Sequence, residues 1–157
     1  MSFVSKNEID KFSFEDCVMT EFLQKEDGIE LVLEALIIKA NNSQNANFTD
    51  SYAKTTRLLF ENGKVTEIKK EGYKYYNADG VLIDEKPDET VDGDEWKNLL
   101  KYLEGAYLVE VTKEENGYRL IVESTDEMGF SADSYRIALN AESVTSNWDG
   151  YMNRVQR

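Results

Sequence analysis

The side chains able to do chemistry crowd into one stretch. Asp79, Asp84, Glu85, Asp88, Glu89, Asp92, Asp94 and Glu95 stand against Lys86 alone, eight acids and one base, a net charge of −7 in 17 positions. Tyr73, Tyr75 and Tyr76 lie immediately upstream. Two readings stand. In one, the run is a solvated loop whose last acids favour the N-terminus of a following helix. In the other, Asp84, Glu85, Asp88, Glu89, Asp92 and Asp94 form an electronegative patch that steers a basic protein partner. Tyr73, Tyr75 and Tyr76 then supply the apolar anchors, because tyrosine is enriched among binding hot spots.

Catalytic chemistry has little to draw on. The chain has no histidine, which removes Ser-His-Asp and Cys-His nucleophiles and imidazole metal sites. Its one cysteine, Cys17, cannot form an internal disulfide or a CxxC pair, and neighbouring acids blunt its thiolate. It reads as a packed or half-exposed strand residue. A calcium loop starting at Asp88 fails, since its third position is Thr90 and its twelfth is Leu99, where an EF-hand needs a bidentate Glu. Paired carboxylates could act as acid and base, but 31 of them give no means of choosing a pair. The expectation is a protein that is not an enzyme and needs no metal or cofactor. The alternatives are a small-ligand binder using the cavity of a curved sheet, or a carboxylate-dependent hydrolase.

With 31 Asp and Glu against 18 Lys and Arg, the formal charge is −13, which disfavours nucleic acid. Hydrophobic residues make up 41 %, and 18 aromatics with a single proline argue for a folded chain, read as one domain over 1–157. The longest apolar runs, such as Ala35 to Ile38, have four residues, too few to span a bilayer. With no signal-peptide pattern at the N-terminus, the expected location is the cytoplasm.

The elements that must position these residues are mostly strands. Asp27-Gly28 predicts a hairpin between Phe12–Gln24 and Ile29–Lys39, pairing Phe22 with Leu33, Thr20 with Ala35 and Val18 with Ile37 on the core face. The opposite face then sets Glu21 against Glu34, an exposed like-charge pair. Asn62-Gly63 predicts a second hairpin between Thr55–Glu61 and Lys64–Lys70, and Asn116-Gly117 a third, with Glu114 opposite Arg119. Asp79-Gly80 turns a shorter pair, Tyr73–Tyr76 and Val81–Asp84, and a last strand runs through Tyr135–Asn140 toward Val144. Trp96, Leu99, Leu100 and Leu103 fall at helical spacing, with Asp92 and Glu95 as an N-cap pair and Gly105 as the stop. Ser5–Lys11 reads as a short N-terminal helix. The fold class is α+β: a mainly antiparallel, curved sheet of seven or eight strands and one principal helix at about 93–104.

Several landmarks occur together: Phe60–Gly63, Glu71-Gly72-Tyr73 with Tyr76, Asp79-Gly80, the Pro87–Glu89 acids, Tyr102–Tyr107, and Val144 with Trp148-Asp149. Over residues 55–152 the arrangement resembles a family of small, acidic, cytoplasmic proteins of Gram-positive gut bacteria without an established activity, some linked to lantibiotic biosynthesis or immunity. That resemblance brings no catalytic residues. It implies a binding protein of the immunity type.

Overall fold

A computed structural model describes residues 2–125 and 132–156. β1 (Phe3–Lys6) is followed by a 3-10 turn over Ile9–Lys11, then by β2 (Phe12–Ser13), β3 (Val18–Lys25), β4 (Gly28–Glu34), β5 (Ile37–Ile38) and β6 (Ser51–Ala53). Next come β7 (Thr56–Glu61), β8 (Lys64–Lys70), β9 (Tyr73–Tyr76), β10 (Leu82–Lys86) and β11 (Glu89–Thr90). A second 3-10 turn, Gly93–Glu95, leads into α1 (Trp96–Tyr102). The remaining strands are β12 (Ala106–Glu114), β13 (Gly117–Thr125), β14 (Ala132–Asn140), β15 (Ser143–Trp148) and β16 (Tyr151–Arg154).

The main sheet has ten strands rather than seven or eight, in the order β1-β15-β7-β4-β3-β12-β13-β14-β8-β11. A four-stranded sheet, β16-β6-β5-β2, and an isolated pair, β9-β10, complete the architecture. The main sheet curls on itself. Phe60 on β7 and Tyr118 on β13 are four strands apart, about 19 Å in a flat sheet, yet their rings meet edge to face at 5.1 Å. One continuous core therefore receives Leu31, Leu33 and Leu58 from one half of the sheet and Ile68, Leu120, Val122 and Ile137 from the other.

That curl overturns the second predicted hairpin. β7 pairs with β4 and β15, and β8 pairs with β14 and β11, so the two do not pair with each other. Asn62-Gly63 is a corner that carries the chain across the seam of the rolled sheet. Its amides bond the Asp27 carbonyl at 2.8 Å and the Phe60 carbonyl at 3.0 Å, which pins the corner to the β3–β4 tip.

The first hairpin forms, one residue earlier than the sequence suggests. Lys25 pairs with Gly28, so Glu26-Asp27 makes the turn and Phe22 lies opposite Leu31, not Leu33. Gly28 is needed as the first strand residue: its φ is +141°, and a Cβ there would sit 2.0 Å from the Phe60 carbonyl oxygen. A bulge at Thr20 then switches the face, so Met19 enters the core instead of Val18, and Glu21 faces Val32 rather than Glu34. The third hairpin slides the same way, with Glu114 opposite Gly117 and Thr112 opposite Arg119, although Arg119 still reaches Glu114 at 3.5 Å. Further corrections follow from local backbone. Ala35, with φ of +59°, breaks the 29–39 run and sends β5 to the smaller sheet. Ser5 belongs to β1, so no N-terminal helix forms beyond the 3-10 turn, and Val144 belongs to β15 rather than to the strand ending at Asn140.

The helix forms where expected but is short. Leu100 and Leu103 are buried, and Trp96 and Leu99 pack against the core half-buried. Asp92 does not cap through its side chain; its carbonyl accepts the Glu95 amide at 2.9 Å. The position of α1 has a structural reason. β3 and β12 pair only through Met19–Ala106 and Val18–Tyr107, after which they part. The helix fills the gap, and Glu104 at its exit accepts the Phe22 amide at 3.1 Å on Oε2, taking the place of a strand carbonyl.

Candidate functional site

The predicted tyrosines and two of the predicted acids lie on a ribbon that stands off the body. Every residue of β9 and of β10 is exposed. The turn between them is built by Asn77, whose Oδ1 accepts the Asp79 and Val81 amides at 2.9 and 3.0 Å. Alternation along β9 puts Tyr73 and Tyr75 on one face, with ring centroids 4.8 Å apart. Asp84 lies directly across from Tyr75 and Lys86 across from Tyr73, while Tyr76 lies across from Leu82. Among the described residues, six of the twelve large exposed apolar side chains fall within residues 73–83. Tyr75 is 57 % exposed and Ile83 64 %, which marks this as the apolar outlier of the surface.

The base of the ribbon is clamped. The Gly72 amide donates to Asp88 Oδ1 at 2.7 Å, and Asp88 Oδ2 pairs with the Arg136 guanidinium of β14. Arg136 Nε also lies 3.5 Å from Glu71. The Gly72 amide first, and then Arg136 and Lys69, hold the Asp88 carboxyl below its usual range. The two legs cross so closely that a Cβ on Gly72 would lie 1.9 Å from the Lys86 carbonyl oxygen. Asp88 is thus a structural part of the arm rather than a free charge.

The predicted acids therefore divide. Asp88 is held by Arg136, and Glu89 pairs with Lys86 at 3.3 Å on the short edge strand β11. Asp84, Glu85, Asp92 and Asp94 have no ion-pair partner among the described residues. Asp84 and Glu85 ride on the arm, whereas Asp92 and Asp94 sit at the 3-10 turn leading into α1. Val81, Leu82 and Ile83, an apolar run inside the acidic stretch and outside the predicted partner surface, are exposed by the ribbon beside the tyrosines.

The other candidates contribute no site. Cys17 is buried, and its burial, with Glu34 nearby, pushes the thiol up to about 12. Glu34 accepts the Thr55 hydroxyl at 2.6 Å, so no like-charge pair with Glu21 exists. No group of three His, Cys, Asp or Glu able to hold a metal ion occurs among the described residues. Among those residues no helix is long and apolar enough to cross a membrane. No protein-family model, curated protein or solved structure matches the chain.

Proposed function

We propose that this chain is a non-enzymatic protein-binding module, of the immunity type, whose β9–β10 arm engages a basic partner. The observation that carries the reading is the arm itself. A lone two-stranded ribbon is marginally stable in water, yet here it is clamped by Asp88, Gly72 and Arg136 and presents bare tyrosines beside unpaired carboxylates. Asp84 and Glu85, with Asp92 and Asp94 nearby in the chain, speed encounter with a cationic surface. Tyr73, Tyr75, Tyr76 and the adjacent Leu82 lose water on contact and slow dissociation. Asp88 and Glu89 act at one remove, by holding the arm's base.

The test uses a partner captured from the native host and then purified. Asp84→Lys with Glu85→Lys is expected to lower the association rate and flatten its salt dependence. Tyr75→Ala is expected to raise the dissociation rate about tenfold or more, as loss of a hot-spot aromatic does. A partner that binds both variants with wild-type kinetics would remove the arm from consideration.

A further inference from the structure

Each strand of the arm pairs only with the other, so β9 and β10 both have an open edge. The turn fixes which main-chain groups those edges carry. The Asn77 amide donates to the Val81 carbonyl at 2.9 Å, and the Gly80 amide to the Asn77 carbonyl at 3.0 Å, so Asn77 faces inward. Along an antiparallel ladder, successive residues turn their N–H and C=O to opposite sides. Tyr75 and Tyr73 therefore face β10, while Lys74 and Tyr76 each turn a donor and an acceptor to the outer edge of β9. The Gly72 amide, earlier in the same row, is taken by Asp88. Lys74 and Tyr76 are exposed, and no other strand lies beside them.

β10 offers no such row. Its pairing passes from Tyr76–Leu82 to Tyr75–Asp84, which leaves Ile83 as an extra residue. The outward residues on that side are then Leu82 and Glu85, three positions apart rather than two, a spacing a regular strand does not match. Such bulges blunt sheet edges. One edge of the arm is irregular, and the other is left in register for a further strand. Two strands alone are marginally stable, and a third supplies the contacts that let a small sheet hold.

The side chains define the strand that fits. Tyr73 and Tyr75 share one face with Asp84, and Lys86 on that face is already paired with Glu89. An arginine there lies over a tyrosine ring and extends toward Asp84. On the other face Lys74 lies across from Glu85 and Tyr76 across from Leu82, so charge cancels and an apolar residue packs on Tyr76. We infer that the basic partner adds a strand to β9. It is an extended, antiparallel segment, arginine or lysine alternating with β-branched residues, bonded to the main chain of Lys74 and Tyr76. This inference rests on the arm being the binding surface and specifies how the partner is held there.

The probe is an acetylated, amidated octapeptide of alternating arginine and valine, titrated into the full chain by calorimetry. In antiparallel addition its valine amides face β9 and its arginine amides face away. Saturable binding is expected. N-methylation of the valines is expected to weaken it at least about fivefold, because main-chain bonds are lost, and N-methylation of the arginines to change it little. Amide exchange at Lys74 and Tyr76 is expected to slow at saturation, while Tyr75, already bonded within the ladder, changes little. Strand addition is overturned if the alternating peptide shows no saturable binding, if valine methylation costs no more than arginine methylation, or if exchange at Lys74 and Tyr76 does not move. The arm itself is judged separately, by Asp84→Lys with Glu85→Lys against the purified partner. A loss there, with no effect of valine methylation, removes the added strand and leaves a contact held by charge.

Discussion

Glu104 stands where a strand is missing, and its removal tests the account of the split between β3 and β12. Its Oε2 accepts the Phe22 amide at 3.1 Å, and its Oε1 lies 2.9 Å from Lys101 Nζ. Phe22 is buried, so an amide left there without a partner costs about 1–3 kcal/mol. The Glu104 side chain keeps 16 % of its exposure, which lets water recover part of that, and about 1–2 kcal/mol remains for Glu104→Ala. The Lys101 side chain is 83 % exposed, so the ion pair itself adds little. Glu104→Gln keeps an oxygen in place and loses only the charge assistance, about 0.5 kcal/mol. In urea the alanine variant's midpoint is expected to fall by roughly 0.5–1 M and the glutamine variant's by less than half as much. Lys101 and the Phe22 amide hold the Glu104 carboxyl below its ordinary value of 4.5. A depressed carboxyl contributes fully above its ordinary value and loses the contribution as pH falls through the folded one. The gap between wild type and Glu104→Gln is therefore constant from neutral pH down to about 5 and closes in more acid solution. Hydrogen exchange at the Phe22 amide locates the effect. Equal losses for alanine and glutamine, or unchanged exchange at Phe22 in the alanine variant, would refute the view that this carboxylate replaces a strand.

Gly72→Ala should open the base of the arm, because its Cβ would collide with the Lys86 carbonyl and pull the Gly72 amide from Asp88. Tryptic cleavage at Lys74 is expected to quicken about tenfold while the global unfolding midpoint moves little, since local opening draws on few buried contacts; an unchanged cleavage rate counts against the clamp. Cys17 has its thiol raised from 9.0 to about 12, so it favours the folded state below pH 9, and that contribution is lost as pH rises from 9 to 12. Cys17→Ala is therefore expected to flatten stability over that alkaline window, and native protein at pH 8 should resist a disulfide reagent that labels the unfolded chain at once. Rapid labelling of the native thiol would show that the burial is wrong.

The sequence is most informative where a local rule is decisive. Leu100 and Leu103 reach the core because a period of 3.6 leaves them no other face, and Asp79-Gly80 turns the arm because the β9 and β10 segments have only each other. It fails where a distant backbone decides. In Glu26-Asp27-Gly28 the glycine serves close approach to Phe60, 32 residues away, so the turn is displaced and every pair shifts with it. Asn62-Gly63 has the same chemistry as a hairpin turn, but β7 and β8 each find longer partners, and the rolled sheet separates them. The Thr20 bulge leaves no mark in the pattern at all, and it alone places Met19 rather than Val18 in the core.

Charge shows the same limit at the level of function. A count finds −7 in residues 79–95, but Arg136, 48 positions beyond Asp88, decides which of those acids is free. Lys25 and Lys64 lie 39 positions apart and form no run, yet folding brings both to the recess that Trp96 lines. The arm and this recess lie at opposite ends of β8, the arm after Lys70 and the recess beside Lys64, about 20 Å apart along a seven-residue strand. That spacing exceeds the screening length at physiological salt, about 8 Å, so the charges at one end are largely screened from the other. On the proposed function, the free carboxylates beyond Lys70 draw a cationic partner over a distance that salt shortens. If the arm binds as proposed, added salt therefore slows capture there and leaves dissociation, which the tyrosines govern, nearly unchanged, because the free acids sit on an exposed ribbon of a strongly acidic protein.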